Sequence, residues 1–255
     1  MRGSVVAIGT ELTSGQIINS NAAKLSAALT SLGVDSVFHI TVPDDHGAIL
    51  HALRSAELVS ELIFVTGGLG PTTDDFTRDV VAAWAGLPLY FDDSAWARLI
   101  KKLELRGRVA SNSQKQQCSF PQGAMILENP KGTAEAFFLR VRDRRVWVLP
   151  GPPLEIEAIW DAGVRKMIEQ LIPDGPKYEL LSWICKDKAE SEIGDLVESI
   201  VRGTGLRTGY RCFKPYVEVK IWCLRSDLPK HSAQFDRIND ALKNWLDPKP
   251  TTSSD

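Results

Sequence analysis

The residues of this 255-residue chain best suited to chemistry lie in Thr66-Gly67-Gly68-Leu69-Gly70-Pro71-Thr72-Thr73-Asp74-Asp75. The stretch follows a short apolar run and precedes a helical pattern. Glycines let a backbone approach a ligand closely, and free N–H groups at a helix start attract phosphate oxygens. Gly67, Gly68, Leu69, Gly70 and Thr72 are therefore candidate phosphate contacts. Asp74 and Asp75 are expected in the first helical turn, where carboxylates repel a phosphate unless a cation lies between them. Mg²⁺-like ions bind through one or two carboxylates plus phosphate oxygens, with Asp79, one turn on, placed to join the shell. The same residues also suit a plain tight turn whose aspartates favour a helix N-terminus by about 0.3–1 kcal/mol each. No lysine follows Gly70, and Lys131-Gly132-Thr133 has the wrong order, so neither is a Walker A loop.

Two further loops are expected at the same rim, beyond the C-terminal ends of parallel strands. Gly9-Thr10-Glu11 offers a carboxylate, with Asn19 and Asn21 as polar neighbours; a turn plus helix cap explains it equally well. Leu149-Pro150-Gly151-Pro152-Pro153 stops a strand abruptly, either to present Gly151 and Pro152 to a ligand or as a rigid turn. No G-x-S-x-G elbow or Cys-His spacing supports a covalent intermediate. Metal-assisted displacement fits the residues better.

These loops need strands and helices in alternation to hold them. Strands are expected at Ser4–Ile8, Ser36–Val42 and Leu62–Thr66, with helices from Asn19 or Ser20 to Leu32 and over Ala48–Ser60. A helix capped by Thr72 or Thr73 carries Phe76, Val80, Val81 and Trp84 on one face. The next places Trp96, Leu99, Ile100 and Leu103 inward, and Lys101, Lys102 and Arg106 as a solvated face. Residues 107–123 resist assignment. Phe137–Val141 and Val146–Leu149 suggest a hairpin, and a helix over Leu154–Ile172 closes an α/β domain, residues 1–172, with a mostly parallel sheet. Pro173-Asp174-Gly175-Pro176 is the clearest linker. Beyond it, residues 177–247 suggest a small α+β domain: strand 178–185, helix 188–201, strands 206–213 and 216–224, and helix 229–245. Residues 248–255 are expected to fray.

Hydrophobic residues at 44% and charged residues at 24% describe an ordinary globular protein. The N-terminal apolar run is far short of the roughly 18 residues that span a bilayer and lacks a signal-peptide pattern, which leads us to expect a cytoplasmic protein without a membrane partner. A net charge of −2 gives no general attraction for nucleic acid. Neither the four cysteines nor the four histidines are spaced as a metal or redox site.

Five motifs in order carry a resemblance: Ala7-Ile8-Gly9-Thr10-Glu11-Leu12, Gly15-Gln16-Ile17-Ile18-Asn19-Ser20-Asn21, the Gly67–Asp75 loop, Asn129-Pro130-Lys131-Gly132-Thr133-Ala134, and Leu149–Pro153. Together they resemble the CinA family (competence/damage-inducible proteins). Glu190-Ser191-Glu192-Ile193-Gly194 and Thr208-Gly209-Tyr210 to Val219 extend the resemblance into that family's small KH-like domain. It implies a three-layer molybdopterin-binding-like α/β domain followed by that module, without the nicotinamide mononucleotide deamidase of longer members. The first domain is also similar to MogA, MoaB and gephyrin-type proteins, whose acidic loop residue Asp75 matches. Asp74 stands where they carry arginine, Asp79 where they carry glutamate and Leu69 where they carry threonine, which favours the CinA branch.

The resemblance implies hydrolysis of ADP-ribose to AMP and ribose 5-phosphate with a divalent metal ion (Mg, Mn or Co), leaving room for a monovalent cation, and a homodimer. Asp75, Asp74 and Glu11 would then be catalytic, and Asp75, Asp74 and Asp79 would bind the metal. Backbone at Gly67–Gly70, Lys131, Gly132, Thr133 and Gly151, with Gly9, Thr10, Asn19, Asn21, Thr72 and Pro152, would hold the substrate. Alternatives are a molybdopterin-binding or adenylyltransferase protein of molybdenum-cofactor metabolism, and a non-catalytic nucleotide binder. In the small domain, near-equal numbers of basic and acidic residues, and G-x-x-x-G at 205–209 in place of G-x-x-G, speak against RNA binding.

Overall fold

A computed structural model describes residues 1–173 and 178–247. Most of the expected linker and the whole tail 248–255 lie outside the described residues. The chain divides into two compact units between 174 and 175.

The first unit is α/β. Strands β1 (Arg2–Ile8), β2 (Asp35–Val42) and β3 (Leu62–Thr66) alternate with helices α1 (Thr10–Thr13), α2 (Ser20–Ser31) and α3 (His46–Val59). Helix α4 (Thr77–Ala85) follows, then β4 (Leu89–Phe91), α5 (Asp93–Glu104), a 3₁₀ segment Asn112–Cys118, and β5 (Ser119–Pro121), which pairs with β4. Strands β6 (Met125–Leu127), β7 (Ala136–Val141) and β8 (Arg144–Leu149) complete the main sheet. Its order is β2-β1-β3-β8-β7-β6; the first four are parallel, and β7 runs antiparallel to both its neighbours, β8 and β6. After β8 the chain is helical from Pro153 to Leu171, as α6 (Pro153–Ile159), a π turn Trp160–Val164 and α7 (Arg165–Leu171).

The period-2 alternation of the buried strands explains the layers. Val5, Phe64 and Trp147 face one side with Leu25, Leu29, Ile156 and Ile168 from α2, α6 and α7. Val6, Val65 and Val148 face the other with Ile49, Leu53, Val81 and Leu99 from α3, α4 and α5. A helix layer thus covers each sheet face. Asp45 starts α3 two residues before the expected Ala48, because its Oδ1 accepts the Ala48 N–H at 2.8 Å.

Three expectations need correction. Helix α4 begins at Thr77, not behind Thr72 or Thr73, because the Thr77 N–H is drawn to Gly68 O at 3.2 Å, so Asp74 and Asp75 precede the helix. Lys102 is half-buried and tied down, whereas Lys101 and Arg106 are exposed as expected. Lys102 Nζ donates to Asn129 O (2.8 Å) and Glu135 Oε1 (3.1 Å), and Arg106 Nη2 donates to Lys131 O (2.5 Å). The unassigned segment 107–123 holds the 3₁₀ turn and β5, too short for a sequence period to show.

The second unit is α+β: a three-stranded antiparallel sheet of order β10 (Arg207–Phe213), β11 (Tyr216–Leu224), β9 (Tyr178–Lys186), with α8 (Glu190–Val201) and α9 (Ser232–Leu242). Val197, Ile200, Val219, Ile221, Ile238 and Leu242 form its core. Among the described residues no helix is long and apolar enough to cross a membrane.

Candidate functional site

Strands β1, β3 and β8 end side by side, so the loops after them share one rim. Between them lies a cavity of about 350 Å³ lined by Gly9, Glu11, Gly67, Gly68, Leu69, Gly70, Asp74, Asp75, Thr133, Gly151 and Pro152, all expected from sequence, and by Asp44, Gln117 and Glu155, which were not.

The glycine loop is built so that its carbonyls are occupied and its amides are not. Gly67 O accepts the Thr77 hydroxyl (3.0 Å), Gly68 O the Thr77 N–H (3.2 Å), and Leu69 O both Arg78 Nη1 (3.0 Å) and Gln117 Nε2 (3.3 Å). In a trans peptide the C=O points away from the N–H that follows it. Pinning these three carbonyls therefore turns the N–H groups of Gly68, Leu69 and Gly70 the opposite way, and none has an acceptor among the described residues. Gln116 Nε2 adds anchors on Gly70 O (3.1 Å) and Thr72 O (2.7 Å).

Glycine is required here for space and conformation. Gly67 and Gly68 have φ of 98° and 64°, and a side chain would strike the Ile8 carbonyl or the Thr77 hydroxyl. At Gly70 it would strike the Asp75 carboxylate. Gly67 itself offers no donor, since its N–H is spent on Leu149 O at 3.1 Å.

Behind the loop lies Arg78, only 2% exposed, with its guanidinium 5.8 Å from the Phe120 ring centre. Among the described residues its Nε and Nη2 have no hydrogen-bond partner. Burial pulls its pKa down to about 10, while the charges of Cys118, Asp75, Asp79 and Glu135 oppose that shift. The guanidinium is still cationic at neutral pH, one peptide behind the free amides.

Among the described residues five carboxylates line the cavity, from Glu11, Asp44, Asp74, Asp75 and Glu155, and no lysine or arginine does. Three are held in place. Asp44 accepts the Thr10 N–H (2.7 Å) and hydroxyl (3.0 Å), Asp75 the Thr72 N–H (2.9 Å) and hydroxyl, and Glu155 the Asn129 amide (2.7 Å). The nearby Thr72 hydroxyl, although its own hydrogen bond goes to Asp75, and then the backbone N–H of Asp74 hold the exposed Asp74 carboxyl below its ordinary range.

Several expected contacts are engaged elsewhere. Thr10 and Thr72 do not line the cavity; they position Asp44 and Asp75. The N–H groups of Lys131 and Gly132 are taken by Asn129 Oδ1 at 3.0 and 2.8 Å, leaving Thr133 as that loop's lining residue. Asn19 caps α2, its Oδ1 accepting the Ala22 N–H at 3.1 Å, and Asn21 Nδ2 pins Gly151 O at 2.7 Å. Asp79 is exposed in the first turn of α4 and does not line the cavity. Among the described residues no three His, Cys, Asp or Glu side chains group closely enough to hold a metal ion unaided.

Residues 4–170 match the family model described as "Probable molybdopterin binding domain". A competence-damage inducible protein of Caldanaerobacter subterraneus subsp. tengcongensis is 34% identical over 221 residues, covering 87% of this chain and 53% of that protein. Its counterpart in Desulforamulus reducens is 32% identical over 246 residues, covering 96% and 60%. The chain thus spans little more than half the length of these curated relatives. The crystal structure of the protein CinA, of unknown function, from Thermoplasma acidophilum superposes with a TM-score of 0.61 at 36% identity, covering 66% of this chain and 97% of that one.

Proposed function

From a chain that belongs to the molybdopterin-binding-domain family, in its CinA branch, we propose a site for a phosphate-bearing ligand whose chemistry is metal-assisted hydrolysis of a nucleoside diphosphate sugar, ADP-ribose to AMP and ribose 5-phosphate. One observation carries this reading: three free amides of a pinned glycine loop border a cavity with five carboxylates and no basic side chain. The amides suit phosphoryl oxygens, but the carboxylates would repel them, and a hard dication reconciles the two.

The donor set fits such an ion. Asp75, already oriented by Thr72, would hold it, with Asp74 and Glu11 bordering the same space and ligand oxygens and water completing the shell. When bound, it would neutralise diphosphate charge and supply a more acidic water. Gly68, Leu69 and Gly70 would orient the phosphoryl group, and Arg78 would polarise the Leu69–Gly70 peptide toward it.

A second reading, binding or adenylylation of molybdopterin in the same cavity, is favoured by the family description, which names molybdopterin, whereas no relative reported above is named for ADP-ribose. Purified protein is to be incubated with ADP-ribose and Mg²⁺, Mn²⁺ or Co²⁺, and separately with ATP and molybdopterin. AMP formation that disappears in Asp75→Ala supports hydrolysis. Absence of turnover with every metal, or unchanged turnover in Asp75→Ala, sinks it, and adenylylated molybdopterin in the second arm would establish the rival.

A further inference from the structure

The second unit holds a cavity of its own, of about 120 Å³, with room for one ring system. It lies where β11 passes into the 3₁₀ turns Arg225–Asp227 and Pro229–His231, and the 204–206 loop between α8 and β10 closes it. Arg207, Trp222, Asp227 and His231 contribute to its lining.

One wall carries an unmet hydrogen-bonding group. His231 is only 6% exposed, and its Nδ1 has no hydrogen-bond partner among the described residues. A polar atom stripped of water and left unmatched is destabilising, so one set beside a polar cavity points to an occupant. More polar capacity surrounds it. The Gly205 N–H, at a φ of 79°, has no acceptor among the described residues. The half-buried Asp227 adds a carboxylate, steadied by the Ser226 hydroxyl at 3.1 Å.

Another wall suits a flat ring. Helices α8 and α9 cover the sheet face made by Trp183, Cys185, Val219 and Ile221. By strand alternation Trp222 belongs to the opposite face, where it lies across Gly209: a side chain there would meet the indole at 2.9 Å. A ring held against the sheet offers its other π-face outward. The cross-strand neighbour of Trp222 is Arg207, which is exposed and makes no ion pair among the described residues.

Charge is divided in the same sense. Helices α8 and α9 carry six carboxylates and one arginine. The opposite sheet face sets Lys186, Arg207, Arg211 and Lys220 against Glu218 alone. The near balance of the whole unit therefore hides a basic surface beside the cavity.

We propose that this cavity is a second ligand site, which takes the base of a phosphorylated nucleoside while Arg207 meets its phosphate. Trp222 stacks on the base, and Asp227, His231 and the Gly205 N–H pair with its edge. The ligand chemistry is shared by a free mononucleotide and by one residue of a single strand. This site is independent of the reading proposed for the first unit.

The test is an NMR titration of the ¹⁵N-labelled full chain in EDTA, with AMP, adenosine, ribose 5-phosphate, inorganic phosphate and a short oligoadenylate. AMP should move the Trp222 indole and Gly205 amide signals, with adenosine and ribose 5-phosphate each at least about tenfold weaker. Trp222→Leu should weaken AMP by about tenfold and the exposed-site change Arg207→Gln by about fivefold, whereas Asp75→Ala in the other cavity should leave these shifts unchanged. Thermal melts check folding, and Arg207→Gln keeps the test decisive if Trp222→Leu unfolds. An oligomer more than about tenfold tighter than AMP identifies a single strand as the source; equal or weaker binding identifies the free nucleotide.

No movement of these signals with AMP or the oligomer would overturn the proposal and leave the cavity to ordered water. Equal affinity for inorganic phosphate or ribose 5-phosphate would overturn it in favour of a plain anion patch. Unchanged AMP affinity in Arg207→Gln would do the same. None of these results bears on the glycine-loop cavity, whose Gly68 and Gly70 signals are read separately.

Discussion

Two loops of the first unit that both border the cavity, 67–70 with three glycines and 131–133 with one, make opposite uses of their backbone. In 67–70 the carbonyls are bound from behind by Thr77, Arg78, Gln116 and Gln117, and the amides of Gly68, Leu69 and Gly70 are left free. In 131–133 the buried Asn129 side chain reaches forward and takes the amides of Lys131 and Gly132. One loop is a donor surface; the other is a closed turn that delivers Thr133 to the cavity and holds Glu155 in place. Their glycine counts differ, but the count does not decide which amides are free. What does is which half of each peptide the neighbouring side chains satisfy.

The largest effect that would sharpen this contrast is expected at Asn129. Its side chain accepts two amides and donates to Ala134 O and Glu155 Oε2, so Asn129→Ala strands four groups, two of them (Gly132 N–H and Ala134 O) on buried residues, and should cost about 3 kcal/mol in urea unfolding. A loss under about 1 kcal/mol would mean that water replaces it and that the turn is not closed as described.

Next comes Gly68→Ala. The residue sits at φ 64° and its new methyl would meet the Thr77 hydroxyl. About 1–2 kcal/mol of stability should be lost, and Mg²⁺-dependent pyrophosphate binding should fall by more than about tenfold. Retained binding would contradict the role of the 67–70 amides. The parallel change Gly132→Ala, whose methyl would meet Glu155, should disturb binding less, because its amide is already spent.

Smaller again is Arg78→Met. Removing a buried, half-satisfied cation relieves a desolvation cost, so the melting temperature should move by only a few degrees while pyrophosphate affinity drops by about tenfold. Equal losses in both would make Arg78 a packing residue and nothing more.

The smallest effect concerns Asp74. In a ¹³C-detected titration its carboxyl should titrate below 3.8, and Thr72→Val should return it toward that value. A carboxyl held low in the folded state contributes stability above its unfolded pKa and loses it as pH falls through the folded value. An unshifted midpoint in wild type would remove Thr72 from the electrostatics of this cluster.

Much of the fold was legible in residue order. The apolar runs Val5–Ile8 and Leu62–Val65 and the strands Phe137–Val141 and Val146–Leu149 lie inside observed elements, and α4 stops at Gly86 as expected. The rim of loops after β1, β3 and β8 follows from that alternation, and eleven expected residues line its cavity. Asp44 was hidden because nothing local marks a carboxylate in a β2–α3 turn, and Glu155 because it reads as an ordinary first-turn helix residue. Gln116 and Gln117 were hidden because they lie on a 3₁₀ turn with no recognisable period.

Local sequence by itself determined the alternating elements, the positions that only glycine can occupy, and the presence of Asp74 and Asp75 beside them, because hydrophobic period and backbone sterics act over a few residues. Tertiary structure alone decided which amides are free. A peptide group is satisfied by whatever packs against it, and Arg78, Gln117 and Asn129 reach the two loops only once sheet and helices bring them there.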